Sequence, residues 1–166
     1  DKQALSLLRR TLALKPDHFE AGNALAELLA AKERWMELDD LYAAWLGYVS
    51  DADSYGLWLQ RGELLENHLT RREEARTCYE AATRFEPPGG DAWQRLENLL
   101  VELGDHHGLV GLIDRWSEQD PNSLPSDRLL RAARIAREEL GDEERAAAYF
   151  FKVLEREPFN AEAVCA

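Results

Sequence analysis

Five helix-ending breaks, at Pro16, Ser50, Pro87, Pro121 and Pro158, stand 34, 37, 34 and 37 residues apart in a chain of 166 residues. Four of them are prolines, and a proline just past a helix cannot continue it: its ring clashes with the preceding turn and it has no amide proton to donate. Breaks this regular cut the chain into units of similar size. They point to stacked repeats and away from a single irregular globule.

Each unit carries two apolar stripes at helical spacing. Trp93, Leu96 and Leu100 fall on one stripe, Gly104-Asp105 interrupts it, and Leu109, Ile113 and Trp116 make a second. Neither helix could bury its stripe alone, so the pair reads as an antiparallel hairpin. The same pattern places Ala4, Leu8 and Leu12 on a first helix and Leu25, Ala26 and Leu29 on the next. Leu38, Tyr42 and Trp45 follow, then Trp58, Gly62 and Leu65, then Ala75, Tyr79 and Ala82. The last full unit uses Leu129, Ala132, Ala133 and Ala136, turns at Gly141-Asp142 and continues through Ala146, Phe150 and Val153. Breaks are expected at Ser50-Asp51-Ala52-Asp53 and around Thr70. Asp17, with Glu20 three residues on, predicts a capping box, and Asn160 predicts the cap of a last, truncated helix. The units are 2–16 (a half repeat), 17–52, 53–89, 90–123, 124–158 and 159–166, read as one solenoid. A chain that opens and closes inside helix patterns is expected to be a segment of something longer.

Composition narrows the function classes. Ala, Leu, Glu and Arg dominate and β-branched residues are scarce, so the class is all-α. A net charge of −12 argues against general binding to nucleic acid or to an anionic membrane surface. No apolar run approaches the roughly 18 residues of a membrane helix, and no signal peptide opens the sequence, so no membrane insertion and a cytoplasmic location are expected. Cys78 and Cys165, far apart and without a partner motif, read as reduced thiols.

The unit length, with a small residue facing a large one, resembles the tetratricopeptide repeat (TPR) family. The resemblance rests on Trp58, Gly62, Leu65, Ala75, Tyr79, Ala82 and Pro87 in one unit and on Trp93, Leu96, Leu100, Leu109, Ile113, Trp116 and Pro121 in the next. Ala146, Phe150, Val153 and Pro158 extend it to the last full unit. It implies an α-solenoid, a right-handed superhelix of antiparallel helix pairs with about four full repeats and partial ones at both ends. Arg61 replaces the usual Leu, Glu97 the usual small residue, and Trp45 and Trp116 the usual Ala. The two large rings are expected to widen local helix spacing and make the superhelix irregular. Related half-repeat families build similar helix pairs.

Catalytic chemistry finds no foothold. Pro88-Gly89-Gly90 joins two helices, which marks a turn and not a phosphate loop. No serine lies in a nucleophile elbow, and Cys78 has no base beside it, so no catalytic residue is expected. Asp105-His106-His107 reads as a solvated turn, without the spacing that converges ligands on one ion. Asp51-Ala-Asp53-Ser lacks the glycine and distal glutamate of a calcium loop and reads as helix capping. No metal or cofactor is expected. Trp58 and Trp93 read as core, Trp35 as packing across a turn, and Trp45 and Trp116 as packing between repeats or, alternatively, as exposed hot spots.

The resemblance further implies a concave groove lined by the first helix of each pair. Placed by register, the groove receives Glu20, Asn23 and Glu27, then Leu59, Gln60 and Glu63, then Gln94, Arg95 and Asn98, then Leu130, Arg131 and Arg134. The arginines offer planar forks for carboxylates, and Asn98 can bond a peptide backbone. The expected site is therefore Arg95, Asn98, Arg131, Arg134, Gln60, Gln94 and Asn23, and the expected ligand is an acidic protein segment or a chain-terminal carboxylate. The competing expectation is that these arginines pair internally with Asp127, Glu138 or Glu97. The basic and amide set with which some TPR proteins clamp chaperone C-termini is not reproduced in either frame. The expected function is a non-catalytic interaction scaffold. The alternatives are a structural spacer in a larger complex and a module that regulates or recruits a catalytic domain outside this segment.

Overall fold

Apolar stripes at 3.6-residue spacing, separated by short polar turns, leave the backbone one economical way to satisfy its hydrogen bonds. The structure is a computed structural model that describes residues 2–165, the side chains of residues 51–53 excepted. Every regular element among the described residues is an α-helix, as the all-α reading expects. The chain divides into two compact units, Asp1–Phe85 and Glu86–Ala166.

The first unit holds α1 (Lys2–Leu14), α2 (Phe19–Ala30), α3 (Trp35–Trp45), α4 (Asp51–Asn67) and α5 (Arg72–Ala82). Its core joins Leu5, Leu25, Leu29, Leu38, Tyr42 and Leu64, with Leu8 and Leu12 packed at the edge. In α1 the buried stripe runs through Leu5, and Ala4 is exposed, one position off the expected register. Leu57 and Leu64 join the core shared with α2 and α3, Gly62 lies against Tyr79 of α5, and Leu65 is fully buried. Trp58 is therefore left half-buried at the margin and is not the core residue expected. The cap of α2 is His18, whose Nδ1 accepts from the Ala21 amide at 3.3 Å, so the expected Asp17 capping box does not form. The break before α4 falls earlier than expected, because the helix begins at Asp51. The reading of Asp51 and Asp53 as helix-capping side chains lies outside the described residues.

Tyr79 on α5 packs on Gly62 of α4, where a β-carbon would meet the ring. Trp45 on α3 packs on Gly22 of α2 in the same way. Trp45 is only 2 % exposed, so it is neither an exposed hot spot nor in need of wider helix spacing. Its neighbour supplies the room by lacking a side chain.

The second unit holds α6 (Asp91–Leu103), α7 (His106–Gln119), α8 (Ser126–Glu138), α9 (Glu143–Arg156) and the short α10 (Ala161–Val164). Glu86 reaches forward to accept the amides of Ala92 and Trp93 at 2.6 and 3.3 Å, which starts α6. Gly104 ends α6 in the left-handed region at φ +66°, the conformation a glycine adopts without a β-carbon clash. Asp105 then caps α7 through the Gly108 amide at 2.8 Å. The histidine pair thus opens a helix and does not sit in a turn. Asp142, expected only as part of a turn, caps α9, and Asn160 caps α10 as expected. Trp93, Leu96, Leu100, Leu109, Ile113, Leu129, Ala133, Ala136, Ala146 and Val153 are all buried. Trp116, 4 % exposed, lies against Gly89 and near Trp93, with ring centroids 5.9 Å apart, and donates its Nε1–H to Ser123 at 2.8 Å.

Candidate functional site

Helices α6 and α8 of the second unit carry five of the seven residues singled out from the sequence. On α6, Gln94 and Asn98 are exposed and Arg95 is half-buried; on α8, Arg131 is half-buried and Arg134 exposed. Glu97, one turn below Trp93, is the unusual residue of this face. A small residue is expected there, yet Glu97 is buried, only 8 % exposed as a residue, and its carboxylate is engaged by two arginines. Arg128 Nε donates to one oxygen at 2.9 Å and Arg131 Nη1 to the other at 3.5 Å. Arg128 also lies over the Trp116 ring, 4.9 Å from its centroid, where its charge meets the π face.

The arrangement is asymmetric. Arg128 is held by a short bond and a ring, and its side chain is 25 % exposed; Arg131 is held by a long bond, and its side chain is 43 % exposed. Two guanidiniums share one carboxylate. The cluster keeps one positive charge in excess, and that charge resides at the outer member.

The other two arginines have their own acids. Arg95 pairs with Asp91 one turn back at 3.0 Å, and Arg134 with Glu162 of α10 at 2.8 Å. Gln94 donates to the Gly89 carbonyl at 3.1 Å. Asn23 and Gln60 belong to the first unit, the former half-buried on α2 and the latter exposed on α4. Arg128 went unnoticed in the sequence. Its position three residues before Arg131 on the same helical face was the available signal, and only the burial of Glu97 gives it meaning.

Burial raises the Cys78 thiol to about 11, with Arg61 opposing the shift and Asp39 adding to it. The sulfur stays protonated at neutral pH, which is the opposite of what an attacking thiol needs. No group of three or more His, Cys, Asp or Glu side chains that could hold a metal ion occurs among the described residues. Among the described residues, too, no helix is long and apolar enough to cross a membrane.

No family model matches the sequence, and no curated protein does. Solved structures match over almost the whole chain. The structure of YrrB, titled a TPR protein with an unusual peptide-binding site, is 19% identical with a TM-score of 0.52, over 98% of this chain and 81% of that one. MamA from Desulfovibrio magneticus RS-1 is 16% identical with a TM-score of 0.51, over 96% and 87%. The pilF protein of Pseudomonas aeruginosa is 15% identical with a TM-score of 0.51, over 94% and 68%. The chain has the helical-repeat fold of tetratricopeptide-repeat proteins.

Proposed function

We propose that this chain is a non-catalytic protein-interaction scaffold, and that the α6–α8 face binds an acidic segment of a partner protein. The observation that supports the acidic ligand is the excess guanidinium around Glu97. Arg131 is half-buried, with 43% of its side chain open to solvent, and it is held to the Glu97 carboxylate by one long bond. The pairs of Arg95 and Arg134 do not oppose this reading, because exposed ion pairs contribute only about 0–1 kcal/mol and exchange readily for an incoming carboxylate. Gln94 and Asn98, exposed on α6, supply amides for a peptide backbone. Rigid helix pairs suit such binding, since little ordering is required when a ligand arrives. The peptide-binding site named for YrrB is consistent with this role.

Titration calorimetry with an acidic nonapeptide and its alanine-substituted counterpart tests the reading. Replacing both Arg131 and Arg134 with Glu is expected to weaken the acidic peptide at least tenfold. Unchanged affinity removes the α6–α8 face from the proposal.

A second reading, a structural spacer within a larger assembly, is favoured by Phe151 and Phe159, which stand 69% and 96% exposed on and beyond α9. The repeat boundaries assigned from the sequence and a cytoplasmic location belong to the same proposal.

A further inference from the structure

Among the described residues, α1 is the one helix whose sequence holds no acidic residue. Leu5 turns into the core of the first unit, with Leu8 and Leu12 packed at its edge. The opposite face is left to solvent: Gln3, Leu7, Arg10 and Leu14 follow one another at helical spacing, and all four are exposed. Arg9 is held by Glu37, whereas Lys2 and Arg10 enter no ion pair among the described residues. The face is an apolar stripe with a positive rim. Helix α9 of the second unit presents the counterpart. Ala147 and Phe151 are exposed, Leu154 is half-buried, and with Phe150 and Ala163 they line a cavity of about 170 Å³. Glu143, Glu144 and Glu155 flank that stripe, exposed and without an ion pair among the described residues. The nearby cations are engaged elsewhere. Arg137 lies over the Phe150 ring at 5.4 Å, Arg145 pairs with Asp114 and Asp142, Lys152 donates to Ser117, and Arg156 donates to the Pro121 and Leu124 carbonyls.

The geometry points to a second copy of this chain as the occupant of that cavity: α1 of one copy docks along α9 and α10 of another. Leu7 enters the cavity against Phe151 and Leu154. Helices rise equally per residue, so a parallel α1 with Leu7 level with Phe151 sets Arg10 level with Leu154, beside Glu155. The same register sets Lys2 level with Ala146, two residues past Glu144. Each unpaired cation of one face thus meets an unpaired carboxylate of the other. Apolar contact supplies the affinity and the charges set the register, against the general repulsion of two copies of net charge −12. The two copies contribute different surfaces, so each keeps one unused α1 and one unused α9 face, and association continues past the dimer. None of the seven residues expected to bind an acidic segment takes part. The contact stands or falls separately from that reading, and it names an occupant for Phe151, on which the spacer reading draws.

Sedimentation equilibrium of the whole chain tests this. The weight-average mass is expected to rise from monomer through dimer and beyond between about 10 µM and about 1 mM protein. Leu7→Asp blocks the α1 face and Phe151→Asp the α9 face. Each variant is expected to stay monomeric alone, with wild-type helical circular dichroism, while an equimolar mixture of the two forms a 1:1 dimer and stops there. Arg10→Glu is expected to weaken association at least fivefold, and Arg10→Glu with Glu155→Arg in the same chain to restore it. A wild type that is monomeric throughout overturns the contact, although a spacer held between other proteins would survive that result. Association that ends at a dimer overturns it too, because a single heterologous contact leaves both ends open. So does a mixture of the two blocked variants that stays monomeric. Should a blocked variant fail to fold, the wild-type concentration series and the charge reversal decide.

Discussion

The backbone of Gly22 on α2 lies flat against the indole of Trp45 on α3, so close that a single added β-carbon would collide with the ring. The indole is buried, with Phe19 tilted against it at 5.5 Å, and it leaves its Nε1–H without a partner among the described residues. Close packing here outweighs the cost of one unsatisfied donor.

Gly22→Ala is therefore expected to destabilise the protein by about 1–3 kcal/mol, although alanine is the better helix former by about 1 kcal/mol. Urea unfolding monitored by tryptophan fluorescence measures this. A variant as stable as the wild type means that the ring moves aside freely and that the fit is looser than described.

Glu97→Ala strands Arg128 against Trp116 and frees Arg131 to water. The expected loss is about 1–3 kcal/mol, below the value for fully buried pairs because Arg128 is partly exposed. Arg131→Ala is expected to change stability by less than about 0.5 kcal/mol. The contrast between the two is the measurement, and equal costs contradict the division of labour between the two arginines.

Tyr149 donates its hydroxyl to Asp114 from a buried position; burial first, and that acceptor second, raise its pKa well above the ordinary tyrosine range. The unfolded chain then loses this proton before the folded one does, starting at pH roughly 10. The stabilisation is complete below that pH and declines as the pH rises through it. The urea midpoint of the wild type should fall more between pH 8 and pH 10.5 than that of Tyr149→Phe. Parallel declines refute a native-state role for this proton.

The two thiols should separate cleanly with a disulfide reagent at pH 8. Cys165 is exposed and is expected to react within the mixing phase, whereas buried Cys78, raised to about 11, is expected to react only as fast as the protein opens. Two fast thiols in native buffer contradict the packing of α4 on α5.

Periodicity made most of the fold legible. Trp93, Leu96 and Leu100 are buried as their spacing requires, because a helix stripe is a property of the chain itself. Local competitions were harder to read. His18 displaces Asp17 as a cap, since the imidazole one residue later has the reach and the amide geometry. Trp58 loses its place to Leu57 because α4 is shared between two neighbours, and the rotation that serves both turns the indole outward. For the candidate site, the exposed positions on α6 and α8 followed from register. The pairing of Arg128 with Glu97 did not, since 31 residues separate them and only tertiary packing chooses that acid over others nearby.

Glycine against an aromatic recurs three times: Gly22 with Trp45, Gly62 with Tyr79 and Gly89 with Trp116. Each such match binds two distant codons into one unit of inheritance. Enlarging the notch without trimming the ring is penalised, and so is trimming the ring without filling the notch. The two positions of each match are therefore expected to vary together among related sequences, and a protein engineer recombining hairpins should move both halves of a match together.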